Sequence, residues 1–374
     1  MTEALHSPLH NAHVEAGARF ITFAGWRMPV RYGSILEEAR AVRSHAGMFD
    51  VSHMGRTRVR GLDGLGVLQA LGTNDLERIA PGKAQYTLWC TPDGGTIDDL
   101  IVFWLGEKDF IVVMNASRRS DDLDHLEGNA TGTDVTIVDE TDESAMIAVQ
   151  GPDARGIVTS LGCEAAATMP RFGVVRSTVA GVGVIVSRTG YTGEDGVELV
   201  CEAGAAPRVW EALRAAGVVP CGLGARDALR MEMGYPLYGH ELGLDISPLE
   251  AGVGFAVAGL SEKAGREFIG RDALAKQAEE GPARKLVGFV CEKPAVPQQD
   301  DRVGPGVVTS GGTSVALEKP IGLAFLAKDA SLGPASLHTR GKEIPVDLRK
   351  VPLIDRSQRA AKKPKTKPKT KKAG

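Results

Sequence analysis

Apolar positions recur along this chain in two rhythms. Leu36, Ala39 and Val42 fall at helical spacing behind Ser34-Ile35-Leu36-Glu37. That S-x-x-E pattern reads as a capping box, and Gly47 is expected to stop the helix. Residues 55–60 read as a short strand. Leu65, Leu68 and Leu71 return to helical spacing, and Gly72 closes that element. Residues 86–90 and 96–104 have strand composition on either side of Pro92-Asp93-Gly94-Gly95, which supplies turn chemistry. A hairpin follows, with residues 110–114 as a third strand. Residues 146–150 read as a strand, and Pro152 suits the first position of a helix. Residues 184–187 and 197–201 are strands around a glycine-rich bend. Residues 207–216 form a helix ended by Gly217.

Strands and helices mix without strict alternation, which favours an α+β class over a doubly wound sheet. After Glu280 the pattern changes to short strands and loops, with glycine and proline clusters over 294–312. A small, mainly β domain is expected there. No internal repeat is visible.

Composition adds two constraints. The 374 residues, 43% hydrophobic and 24% charged, suit a folded protein of two to three domains. The net charge of −3 hides a split: residues 356–374 hold two Arg, seven Lys and no acid, so an acidic body precedes a basic tail. The Lys-Pro-Thr composition of that tail cannot bury apolar surface, and disorder is expected. No run approaches the ~18 apolar residues of a membrane helix. The first 17 residues lack a basic region followed by an apolar run, so no secretory signal is expected and the location is read as cytoplasmic. The five cysteines show no C-x-x-C pair and read as buried single thiols. His6, His10 and His13 lie close together without a Cys or acid cluster, in a terminus expected to be mobile, and no metal is expected.

Most familiar motifs are absent. There is no P-loop and no nucleophile elbow, and Gly222-Leu223-Gly224-Ala225-Arg226-Asp227 lacks the third glycine of a dinucleotide fingerprint. What stands out is carboxylates inside apolar strands. In Asp98-Asp99, alternation points one carboxylate inward and the other to solvent, unless both are solvated at a hairpin mouth. An inward one would have a raised pKa, suited to proton handling. Glu198 sits among Val197, Leu199 and Val200 behind Tyr191-Thr192-Gly193-Glu194-Asp195-Gly196. Those glycines either let backbone approach a ligand or form a plain hairpin turn.

Several long segments, in order, are similar to one family. They are Phe23-Ala24-Gly25-Trp26-Arg27-Met28-Pro29-Val30, Met48-Phe49-Asp50-Val51-Ser52-His53-Met54-Gly55, Gly94-Gly95-Thr96-Ile97-Asp98-Asp99-Leu100, residues 186–196, residues 222–227, Tyr238-Gly239-His240-Glu241-Leu242 and Ser247-Pro248-Leu249-Glu250-Ala251-Gly252. Over residues 8–354 the chain resembles the aminomethyltransferases of the glycine cleavage system, the T-proteins. The resemblance implies a three-part folate-binding fold. Residues 1–54 and 144–281 would form a discontinuous first domain, 55–143 a ferredoxin-like second, and 282–355 a C-terminal β-barrel, with 356–374 as the tail.

It also implies a reaction. The aminomethyl group on the lipoyl arm of H-protein loses ammonia, and its carbon joins tetrahydrofolate as 5,10-methylenetetrahydrofolate. Glu198 matches the position that holds the pterin, whose parallel donors suit a carboxylate. Asp99 matches the catalytic position. Met54, Tyr86, Asn115, Tyr191, Arg226 and Tyr235 match positions lining the folate pocket. By this reading Asp98, on the opposite strand face, matters less than Asp99. The chain departs from the family pattern in its condensed segment 294–306, in Val351-Pro352-Leu353-Ile354 at the end of the barrel, in Phe103 where some relatives have Tyr, and in the tail. Folate-dependent demethylases share the fold, which leaves the one-carbon donor open. A folate-binding assembly factor of the same superfamily carries a Cys that the segment 234–241 lacks. A nucleic-acid-binding role would rest on the tail alone, and the absence of interleaved aromatics favours a solubilising tail.

Overall fold

The computed structural model describes residues 4–261 and 266–355, and the Lys-rich segment lies outside them. The chain is α+β, with three main β-systems. A five-stranded sheet runs, in spatial order, Lys83–Cys90, Thr96–Gly106, Asp109–Met114, Gly55–Arg60 and Thr136–Asp139. A six-stranded sheet runs Val174–Val179, Val182–Ser187, Gly196–Glu202, Ser144–Gln150, Gly47–Asp50 and Val219–Pro220. It takes strands from both sides of the five-stranded sheet in sequence. Six further strands, from Arg284–Cys291 to Lys342–Arg349, close into a barrel. No helix among the described residues is long and apolar enough to cross a membrane.

Strand alternation decides what each face meets. Along Thr96–Gly106, Leu100, Val102 and Trp104 pack under the helices Gly64–Leu71 and Arg119–Asn129, against Leu68, Leu71 and Leu126. The opposite face, with Ile101 and Phe103, meets Met146, Ala148 and Val200 of the six-stranded sheet. The far side of the six-stranded sheet, with Ile147, Val149 and Leu199, packs on Val209, Trp210 and Leu213 of the helix Ala206–Ala215. The face toward the six-stranded sheet is therefore that of the odd-numbered residues 99–105, with Ile97 on the helix side beyond a register shift, and it meets the even-numbered residues of Gly196–Glu202.

The helix Leu223–Met233 joins this pair of sheets to the barrel through buried charge. Arg43 donates to Glu232 at 3.0 and 2.6 Å and to Glu194 at 2.8 Å. Glu232 also accepts from Ser314 Oγ at 2.6 Å and from Ala316 N–H at 2.9 Å, both at the barrel. Two residues earlier, Arg230 donates to Glu241 at 2.9 Å and to Ser310 Oγ at 2.7 Å.

Several local expectations need correction. The helix Ile35–Ser44 forms, but Ser34 makes no side-chain cap. Glu38 satisfies the entering backbone instead, accepting from Tyr32 and Gly33 N–H at 2.8 and 2.9 Å and from Gly222 N–H at 2.9 Å. Gly47 does not stop that helix; it opens the strand Gly47–Asp50, where a Cβ would lie 2.5 Å from Val42 Cγ2 and 2.7 Å from Cys221 Sγ. Pro152 stands outside its helix, which begins at Ala154. The terminus around His13 is not mobile, since His13 is fully buried, with Nε2 2.8 Å from Asp50 Oδ2 and Nδ1 2.8 Å from Tyr32 Oη. The five cysteines are buried free thiols.

The Arg43 cluster yields a stability test. Arg43→Met leaves the Glu232 carboxylate buried with its strongest partner gone, which costs about 3–5 kcal/mol. Urea unfolding should show that loss as a lower midpoint, with the larger part recovered when Glu232 is replaced together with Arg43.

Candidate active site

By strand alternation Asp99 lies on the face that carries Ile101 and Phe103, and Glu198 on the face that carries Val200, the faces through which the two sheets meet. Asp99 Oδ2 accepts from Tyr86 Oη at 3.0 Å, and Oδ1 accepts from Asn115 Nδ2 at 2.8 Å. Burial, reinforced by the negative charge of Asp98, pushes the Asp99 carboxyl up to about 7, against the two hydrogen bonds that favour ionisation. Burial and the Asp99 charge push the Tyr86 phenol well above its ordinary value, so it stays a donor.

Asp98 does not face solvent, and the pair is not solvated at a hairpin mouth. Its face of the strand is roofed by the helix Arg119–Asn129, and Asp98 is fully buried. Asp98 accepts from Asn115 N–H at 2.9 Å and from Asn115 Nδ2 at 2.8 Å. Asn115 thus touches both carboxylates.

A second group stacks nearby. The Tyr191 and Tyr235 rings lie 5.9 Å apart at 25°, and the Arg226 guanidinium sits 4.9 Å over Tyr191. Tyr191 Oη donates to the Pro236 carbonyl. Arg226 Nη1 is buried with no hydrogen-bond partner. Burial pulls the Arg226 pKa down, and the charge of Glu198 opposes this. Glu198 is 5% exposed and accepts from the Thr189 hydroxyl, not from Arg226. Met54 packs at the inter-sheet cluster, and its carbonyl accepts from Arg56. The eight sequence-derived residues therefore divide into an Asp99–Tyr86–Asn115 group held by direct bonds and a Tyr191–Tyr235–Arg226 stack, with Glu198 and Met54 placed separately on the inter-sheet side.

The glycines of residues 190–196 are not open to a ligand. A Cβ on Gly190 would lie 2.0 Å from Gln150 Oε1, and one on Gly193 2.5 Å from Met233 Cγ. They make room for the protein's own side chains.

Three groups carried no sequence signal for a role here. His53 is fully buried, and burial with the charges of Arg226 and Arg56 pushes it down to about 4 against the pull of Asp50, so it is neutral at pH 7. Its Nδ1 has no partner. Phe255 is 78% exposed and stacks 6.0 Å from Tyr86, forming an apolar rim. Asp122 is buried with Leu126 on the inner face of the helix Arg119–Asn129. Two surface clefts, of about 350 and 420 Å³, are lined by neither Asp99 nor Glu198.

Comparison with known proteins gives one consistent result. Residues 9–259 match the GCVT N-terminal domain, and residues 284–355 match the glycine cleavage T-protein C-terminal barrel domain. The chain is 45% identical to an aminomethyltransferase of Geobacillus kaustophilus, over 94% of this chain and 99% of the relative. It is 43% identical to that of Bacillus subtilis, over 87% and 91%. The crystal structure of the glycine cleavage system aminomethyltransferase T from Bartonella henselae superimposes with a TM-score of 0.85 at 29% identity, covering 94% and 98%. The chain belongs to the glycine cleavage T-protein family of aminomethyltransferases.

Proposed function

We propose that this chain takes the aminomethyl-lipoyl arm of an H-protein, releases ammonia and passes the carbon to tetrahydrofolate, giving 5,10-methylenetetrahydrofolate. The observation that carries this reading is the inter-sheet space itself. It presents one carboxylate fixed by Tyr86 and Asn115, a second carboxylate at Glu198, and an arginine nitrogen with no partner. Glu198 accepts the parallel pterin donors, the 2-amino group and the adjacent ring N–H. Arg226 Nη1 is a donor for the same substrate. Tyr191, Tyr235 and Met54 supply flat and adaptable apolar contacts to the ring. The ionised Asp99 stabilises positive charge that develops as ammonia leaves, while Tyr86 and Asn115 hold its orientation. The same reading divides the chain into residues 1–54 with 144–281, 55–143, and 282–355. The strand membership of the two sheets and the barrel supports that division.

Two tests follow from these roles. Glu198→Gln replaces an acceptor with a donor that opposes the ring N–H. The loss of a charged hydrogen bond, about 1.5–3 kcal/mol, should weaken tetrahydrofolate binding at least tenfold in calorimetry; an unchanged affinity removes the pterin role. Asp99→Asn should lower kcat on the order of 10²–10³-fold with folate binding nearly intact.

The pH dependence has a defined sign. Because the Asp99 carboxyl is raised to about 7, kcat should rise as pH passes through that value in the parent enzyme, and the asparagine variant should lose the step. Stability moves the opposite way. The native state holds this proton more tightly than the unfolded chain, so the contribution is present below the unfolded carboxyl value of ~4 and is lost as pH rises through about 7.

A further inference from the structure

Behind the Asp99 site lies a second carboxyl pair. Asp122, in the first turn of the helix Arg119–Asn129, is fully buried and faces Asp98 across the helix–sheet interface. The two carboxyl groups lie close enough to hydrogen-bond once one of them carries a proton. Neither oxygen of Asp122 meets an N–H or hydroxyl donor of any other group. A carboxylate accepts only, so two carboxylates in contact need a proton between them. Both oxygens of Asp98 already accept from Asn115, at 2.9 and 2.8 Å. The hydroxyl that completes the contact therefore belongs to Asp122.

We propose that Asp122 is a positioning residue for the reaction above: its carboxyl O–H donates to Asp98, Asp98 anchors Asn115, and Asn115 fixes the Asp99 carboxylate. The Asn115 amide bridges the strand, reaching Asp98 Oδ1 and Asp99 Oδ1 at 2.8 Å each. Asp99 is thus oriented from the far side of its own strand by a group that never enters the inter-sheet space. The surrounding charges agree with a neutral Asp122. Burial and the negative charge of Asp98 raise it far above the ordinary carboxylate range, with Asp121 adding and Arg118 opposing. Arg118 is already committed to Asp121 at 2.5 Å and to the Ile97 carbonyl at 3.0 Å. Tyr86 and Tyr238, whose phenols feel the Asp98 charge, are themselves raised and stay neutral. The proton persists through neutral pH and is lost only on the alkaline side. Its loss sets two negative charges against each other and loosens Asn115.

This inference rests on the proposed aminomethyl transfer for its kinetic readout but not for its spectroscopic one. Infrared spectra of the full-length protein at about pH 8, above the value to which Asp99 is raised, should contain a protonated-carboxyl C=O band that disappears in Asp122→Asn. In the ammonia-release assay with aminomethylated H-protein and tetrahydrofolate, Asp122→Asn keeps an N–H donor toward Asp98 and should retain kcat close to the parent value. Asp122→Ala loses the donor and should lower kcat about ten- to a hundredfold with folate KM little changed, as misplaced reacting groups do. The parent enzyme should lose kcat on the alkaline side, and Asp122→Asn should not. A band that survives in Asp122→Asn, equal kcat for the alanine and asparagine variants when both are folded, or an alkaline limb unchanged by Asp122→Asn would each overturn the proposal. If Asp99→Asn retains full activity, the transfer reading fails, and the infrared band then decides the carboxyl pair by itself.

Discussion

The arrangement depends on one helix carrying buried charge. Leu223–Met233 presents Arg226 toward the inter-sheet space, Arg230 toward Glu241 and the barrel, and Glu232 toward Arg43. Burying such charges is costly in itself, and removing one partner costs more than the pair contributes. The ion pairs therefore act as registration devices. Only one docking of helix, sheets and barrel satisfies Arg43, Glu232, Arg230 and Glu241 at once, and that docking sets Arg226 above Tyr191. The Leu353 N–H, donating to the Glu232 carbonyl at 2.8 Å, ties the end of the described chain to the same helix.

Around that frame the chemistry follows from strand alternation and low dielectric. Two adjacent aspartates enter opposite faces of one strand, and both faces are covered. Burial makes each charge expensive, so the cluster settles into unlike states: Asp98 held by two bonds from Asn115, and Asp99 poised near neutrality. Asn115 couples the two states because its short amide spans the strand edge. His53 shows the same physics with the opposite sign, since burial among cations removes its charge altogether.

Much of the fold is legible in the sequence, and the reasons are local. The hairpin around Pro92–Gly95, the helix over Leu65, Leu68 and Leu71, and the strand with Glu198 each carry their own period and turn chemistry. The misses lie where tertiary contact overrides a local pattern. Ser34 has the residue type of a cap, yet its side chain makes no cap bond, and Glu38 instead ties the backbone entering the helix at Tyr32 and Gly33 to Gly222. Gly47 looks like a helix stop but is required by Val42 and Cys221 packing against it. Alternation separates Asp98 from Asp99, but it cannot say that a helix distant in sequence covers the outer face. Asp122 sits in the polar run Arg118-Arg119-Ser120-Asp121-Asp122, which reads as a solvated surface until its contact with Asp98 is seen.

The interleaving of the two sheets has a consequence for synthesis. The strand Gly47–Asp50 is wholly buried, and its antiparallel partner Ser144–Gln150 emerges about 100 residues later. The five-stranded sheet, complete by Asp139, can close in between. At ribosomal rates of roughly 5–20 residues per second, Met48 and Phe49 wait on the order of 5–20 s without a sheet to join. For that interval the nascent chain displays an unpaired apolar strand beside a finished unit, which is the kind of surface a chaperone holds until the second sheet can form.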